Sequence, residues 1–268
     1  MSTSGNIIKL YRVLFRGVFI SVAVFSASAS NAMAEENDAL SILKSMTDYM
    51  SKQAVIEFTF DSDIEIITPQ LEKIQFTNSG EALLSRPNML RAHRKGGYAD
   101  VSLYYDGETA SVFSGLDNSY AQVVVPGSVD QLIEVLRAGH GVALPGADLL
   151  LSNSYDVLVA DIMEAKHIGQ GVINGVECEH LAFRNFDTDW QLWVEIGDQA
   201  VPRKIVITSK TINSAPQYTL RITNWNTDVS PTKEMFTFVP PNGATPLDPN
   251  ALIHLDELPP VAPTGENP

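Results

Sequence analysis

Cys178 and His180 are the residues of this 268-residue sequence whose types and spacing most readily suggest chemistry. Two positions apart on a strand, they share one face. Asn174-Gly175 just upstream is a tight-hairpin signal. With a two-residue turn, Gly169 faces His180, Gly171 faces Cys178 and His167 faces Ala182. His167 would then lie diagonal to His180, and three soft or borderline metal ligands would gather on one face. The plainer reading treats Cys178 as a small buried hydrophobe and the histidines as polar filler. A Cys–His hydrolase needs nucleophile and base in hydrogen-bond contact, with a third group to orient the base. Residues at i and i+2 stand ~6–7 Å apart along a strand, which is poor geometry for proton transfer. No catalytic residue, metal ligand or cofactor is therefore assigned. G-x-S-x-G, the P-loop, the dinucleotide fingerprint and H-E-x-x-H are all absent.

Apolar side chains offer a different chemistry. Phe58, Phe60, Phe76, Tyr105, Phe183, Trp190 and Leu192 all fall on strand-like segments and are candidates for one inward face. As core they need no ligand. As pocket walls they would accept acyl chains or another apolar group.

The elements that must position them read mainly as strands. A short helix is expected from Asn37 or Asp38 to Met50, with Leu40, Leu43, Met46 and Met50 on one face. Period-two alternation follows from Ile56 to Phe60 and from Ile74 to Phe76. Further strands are expected near Ala82–Ser85, Met89–His93, Val101–Tyr105, Ala110–Phe113 and Ala121–Val125, with Asp106-Gly107 as a hairpin turn. Ser128 and Gln131 form a capping-box pair that opens a helix, and two more short helices are expected at Ala147–Leu151 and Tyr155–Ile162. Strands resume at Lys166–Gly171, Val176–Asn185, Trp190–Ile196, Arg203–Ser209 and Tyr218–Trp225, with a last short one at Phe236–Phe238. Ten or eleven strands with few helices imply a mainly β (α+β) protein built on one wide antiparallel sheet, which tends to curl. The helices are the obvious cover for its inner face. Whether that face is a pocket or a filled core stays open at this point.

Residues 1–34 carry Lys9, Arg12 and Arg16, an apolar run from Val18 to Phe25 and a closing Ala32-Met33-Ala34, with no acid. That order reads as a cleaved secretory signal peptide, too short in its apolar core for a membrane span. With no cysteine at the cut, a soluble periplasmic product without a stable membrane anchor is expected. Loss of the three leader cations takes the net charge from −14 to −17. Such a charge argues against nucleic acid and anionic lipid surfaces as partners. The single cysteine excludes an internal disulfide. Eight of the fifteen prolines lie between Pro240 and Pro268, so residues 245–268 read as an extended mobile tail, after a domain at 35–244.

Several segments resemble a family. Gly80-Glu81-Ala82-Leu83-Leu84-Ser85-Arg86-Pro87-Asn88 is similar to a signature of the periplasmic lipoprotein carrier of the Lol system. So are Tyr105-Asp106-Gly107-Glu108-Thr109, Val201-Pro202-Arg203-Lys204-Ile205 and Phe236-Thr237-Phe238-Val239-Pro240-Pro241. Gly175-Val176, Cys178, His180-Leu181-Ala182-Phe183-Arg184 and Asp189-Trp190-Gln191 with Trp193 resemble the predicted periplasmic proteins of domain-of-unknown-function family 2092, within the same superfamily. The resemblance implies a strongly curved half-barrel whose mouth is covered by helices. It also implies that Arg86 hydrogen-bonds a helical lid; the plain alternative is a strand-end surface arginine. The implied function is non-enzymatic shielding of a lipid, a lipoprotein acyl chain or another apolar ligand. Superfamily members also serve as envelope-stress sensors or assembly partners, so another envelope protein is the alternative partner. A Cys178/His180-dependent hydrolase is the third reading. Fold-level likeness alone does not choose among these.

Overall fold

A computed structural model describes residues 21–142 and 144–249. Strand-forming alternation builds β1 (Val55–Ile67), β2 (Lys73–Ser85), β3 (Met89–Gly96), β4 (Asp100–Tyr105), β5 (Thr109–Ser114) and β6 (Ser119–Val124) as a meander. After a helical insert come β7 (Glu164–Ile173), β8 (Val176–Arg184), β9 (Thr188–Glu195), β10 (Pro202–Ser209) and β11 (Gln217–Asn226), then the two-residue β12 (Thr245–Pro246). All lie in one 12-stranded sheet, ordered β12-β6-β5-β4-β3-β2-β1-β11-β10-β9-β8-β7. Every pairing is antiparallel except β12 on β6. The edges β12 and β7 do not meet, so the sheet is curved and unclosed, as the strand count implies.

Side-chain alternation decides which face is inside. On β9, Trp190, Leu192 and Val194 are buried while their neighbours are more exposed. The inner face carries the core, with Leu84, Tyr105, Leu181 and Leu192 fully enclosed. Three helices cover it. Helix α1 (Ser21–Lys52) buries Ala39, Leu43, Met46 and Met50 and lies over β7, β8 and β9. Helix α2 (Val129–Glu134) begins with the expected Ser128/Gln131 capping box and continues as a π-helical turn, Val135–Gly139. A 3-10 turn (Ala147–Leu150) and α3 (Ser154–Val159) complete the insert.

The structure departs from the sequence reading in several places. α1 does not start at Asn37 or Asp38. It runs through them from Ser21. The segments at 74–77 and 82–85 are one strand, because Asn78-Ser79-Gly80 stays in the ladder instead of turning. Phe236–Phe238 is not a strand: Lys233–Phe236 is a 3-10 turn, and the Phe238 ring sits against Tyr104, Phe113 and Tyr120 on the outer face. The Pro-rich segment begins inside the sheet, with the Thr245 amide donating to the Asn118 carbonyl at 2.9 Å. Residues 250–268 lie outside the described residues, as do residues 1–20 of the expected leader. Among the described residues no helix is long and apolar enough to cross a membrane.

Candidate ligand-binding cavity

A cavity of about 150 Å³ lies between the inner face of the sheet and the helical insert. Its floor is built where inward positions of five neighbouring strands meet. Phe58 and Phe60 come from β1, Ala82 from β2, Leu90 and Ala92 from β3, Leu103 from β4, and Leu220 and Ile222 from β11. Ala82 and Ala92 face each other across β2 and β3. Two small side chains at neighbouring inward positions leave the space that larger ones would fill. The roof is Leu132, Ile133 and Leu136 with Leu149 and Leu150, and Met50 of α1 closes one side. Trp225 stacks on Phe58 with ring centres 5.8 Å apart and donates its Nε1–H to the Tyr49 hydroxyl at 3.3 Å.

The roof is tied down by polar contacts at its rim. Arg137 makes a two-pronged contact with Asp148, Nη2 donating to Oδ2 at 3.1 Å, and the same nitrogen donates to the Leu144 carbonyl at 2.8 Å. Gly146 turns the chain here at φ +81°, a conformation that favours glycine. Beyond Leu144, Pro145 and Tyr218, which the two spaces share, an open apolar groove of about 440 Å³ runs past Ile64 and Ile207. At the other end of the roof, the Tyr105 hydroxyl lies 2.8 Å from the Val125 carbonyl and 2.9 Å from that of Gly127. Tyr105 therefore anchors the chain entering α2, and burial raises its pKa above the ordinary tyrosine value.

The remaining apolar candidates are divided among three places. Phe58 and Phe60 line the cavity. Phe183 and Trp190 stack with ring centres 4.0 Å apart, and with Leu192 they are core on the strands that α1 overlies. Phe76 sits near the far end of β2, edge-on to Tyr98. Arg86 precedes the turn into β3. Its Nε and Nη2 are buried without a hydrogen-bond partner among the described residues. Burial lowers its pKa, and the charge of Asp130 on α2 offsets part of that. The helical cover was expected from the sequence, whereas Trp225 and the Ala82–Ala92 pair were not singled out. The readable signal was a pair of alanines on inward strand positions.

Cys178 and His180 lie on the outer face, opposite Glu195 and Trp193. The Gly169–His180 and Gly171–Cys178 pairings are as the two-residue turn requires. His167 is not where that register puts it. A bulge between His167 and Gly169 pairs it with Leu181 instead of Ala182 and turns it to the inner face, where its ring contacts Glu179 at 2.7 Å. His180 stacks on Trp193 at 4.1 Å, and its Nε2 lies 3.0 Å from Gln191 Oε1. Burial raises the Cys178 thiol pKa, and the thiol points to the Val176 carbonyl. The three candidate ligands are thus not brought together, and no nucleophile–base contact forms.

Residues 39–248 match the family described as "Predicted periplasmic protein (DUF2092)". No curated protein matches the sequence. Among solved structures, the chain is similar to an uncharacterized conserved protein from Thermus thermophilus, with TM-score 0.48 and 9% identity over 79% of this chain and 99% of that one. LprF from Mycobacterium bovis gives TM-score 0.43 and 14% identity over 74% and 97%. A LolA superfamily protein from Nitrosomonas europaea gives 0.38 and 12% over 75% and 97%. With 210 of its residues covered by one family, 39–248, the chain belongs to the DUF2092 family of predicted periplasmic proteins.

Proposed function

We propose that this is a non-enzymatic periplasmic binding protein that shields a lipid, a lipoprotein acyl chain or a similar apolar ligand between sheet and roof. The observation that carries the reading is the partly open apolar cavity under a latched roof. A space of about 150 Å³ holds a group of roughly benzene size. A longer chain extends into the adjoining groove once the Leu144–Pro145 segment shifts. Each methylene removed from water contributes ~0.8 kcal/mol, so occupancy of both spaces supports stable binding. Ala92→Leu tests this by filling the floor. We expect it to cut uptake of an apolar fluorescent probe at least ~10-fold while the protein stays folded by circular dichroism. Unaltered uptake would place the probe elsewhere.

A second reading, a sensor or assembly partner for another envelope protein, draws on β7. Among the described residues this edge strand has no strand on its outer side, and it exposes Ile168 and Val172, a form that accepts an added strand. Charged substitutions at both positions would abolish such an interaction and spare probe uptake.

A further inference from the structure

Antiparallel pairing gathers the hairpin turns of the sheet at its two ends. Alternation along the meander, the Ile64–Tyr218 pairing of β1 with β11 and the Ser209–Thr188 pairing of β10 with β9 put five turns at one end. They are β1–β2, β3–β4, β5–β6, β8–β9 and β10–β11. Four of the five present a large apolar side chain to solvent: Leu71 (65% exposed), Leu116 (60%), Phe186 (85%) and Ile212 (51%). At the opposite end, among the described residues, the four hairpin turns present only Ile196 (39%), with Val124 exposed at the end of β6. Single exposed apolar residues are ordinary, but turns usually take Gly, Pro, Asn, Asp or Ser. Leu71 also holds φ +66°, uncommon for leucine. Its amide donates to the Thr68 carbonyl at 2.9 Å, and the Thr68 amide donates to the Glu72 carbonyl at 2.9 Å. Neighbouring turns brace one another. Lys73 Nζ donates to the Ala215 carbonyl at 3.5 Å, and the Lys210 amide donates to the Asp187 carbonyl at 2.9 Å. The apolar groove opens at this same end, where Ile212, Pro216 and Gln217 line it.

We propose that this rim docks reversibly on a lipid bilayer with zwitterionic headgroups, its four apolar tips entering the interface beside the groove mouth. The chemistry of the tips selects the partner. Exposed Glu72, Asp117 and Asp187 directly follow Leu71, Leu116 and Phe186. These carboxylates, with the net charge of −14, repel anionic headgroups and attract the ammonium group of a phosphatidylcholine or phosphatidylethanolamine. The tips sit on separate hairpins along the rim. Against a rigid protein such separate tips bury far less than the ~800 Å² per partner of a stable interface. A fluid bilayer interface takes up each tip singly, with a gain that scales with the apolar area entered.

The test is flotation of the protein, purified from the periplasm, with vesicles of phosphatidylcholine alone or mixed with phosphatidylglycerol. The wild type should float with phosphatidylcholine, and at low salt its partition coefficient should be at least ~3-fold lower on the mixed vesicles. Leu71→Asn combined with Phe186→Ser should lower partition on phosphatidylcholine ~10-fold; asparagine tolerates the left-handed conformation at position 71. Val124→Ser combined with Ile196→Ser, at the opposite end, should change it by less than ~2-fold. All four sites are exposed, so circular dichroism and thermal midpoints should stay those of the wild type. A wild type that does not float overturns the rim, as does tighter binding to the anionic vesicles. An equal loss in both double variants, or none in either, overturns it too. Self-association that Leu71→Asn with Phe186→Ser abolishes, without flotation of the wild type, would make the rim an interface between copies instead. The assay reads no probe uptake, so the rim and the cavity reading stand or fall separately.

Discussion

Arg86 is the charge least matched to its surroundings. Two of its nitrogens are buried without partners among the described residues, and Asp130 is the charge that compensates it. Asp130 itself accepts the Ser152 backbone amide at 3.1 Å, which links β2, α2 and the end of the roof. Replacing a poorly paired buried charge by an apolar side chain is often neutral or stabilising. Arg86→Leu should therefore keep or raise the thermal midpoint while changing probe affinity by at least ~3-fold, read by fluorescence titration. An unchanged affinity would leave Arg86 as a strand-end residue. His180 makes a separate prediction. Burial depresses its pKa below 6.5, and Lys204 and His167 push the same way against the Gln191 hydrogen bond. The folded state thus binds fewer protons than the unfolded one, so this contribution is present above pH 6.5 and is lost as pH falls through the folded value. Urea midpoints should drop between about pH 7.5 and 5.5, and His180→Gln should flatten part of that drop without altering uptake. An identical slope in the variant would assign the effect elsewhere. The hairpin spacing of these residues was legible in the sequence. The bulge that turns His167 inward was not, because Gly169 at φ +125° permits it without requiring it.

At the scale of elements, the roof is the part that the proposed function requires to move. It consists of short pieces, α2 with its π-helical turn and the 3-10 turn at Ala147–Leu150, joined by the Arg137–Asp148 latch. Both side chains are about one-third exposed, so the pair is screened and its contribution is about 1 kcal/mol or less. Arg137→Ala should therefore lower stability only slightly while speeding probe entry and release several-fold in stopped-flow traces. Unchanged rates together with unchanged stability would show that the latch does not hold the roof. The Ser128/Gln131 cap and the strand alternations could be read locally, since each depends on residues within a few positions. The cavity could not. It arises from Ala82 and Ala92 meeting across a ladder and from a roof that reaches them over long sequence separations. Phe236 and Phe238 show the same limit: their spacing fits a strand, but a ring cluster from three other strands captures Phe238 on the outer face.

For the whole molecule, one open sheet explains how a single chain supplies both a floor and two unequal edges. The β6 edge is covered by β12, while among the described residues no strand pairs with the outer side of β7. Covering one edge limits sheet-to-sheet association, and the net charge of −14 adds like-charge repulsion between copies. The mainly β, curved, unclosed architecture was legible from strand count and alternation, and the inner face from its apolar period. That face is partly filled by Phe183, Trp190 and Leu192 beneath α1 and partly hollow at Phe58 and Phe60, a division that alternation alone does not encode. The hollow part is where an apolar or amphiphilic cargo would be carried. Solvent extraction and mass spectrometry of the protein purified without detergent from the periplasm would show that cargo itself. A lipid or acyl-bearing species should copurify with the wild type and be depleted in Ala92→Leu. A wild-type protein that yields none, or a species retained equally by Ala92→Leu, would contradict the assignment of the cavity as a cargo site.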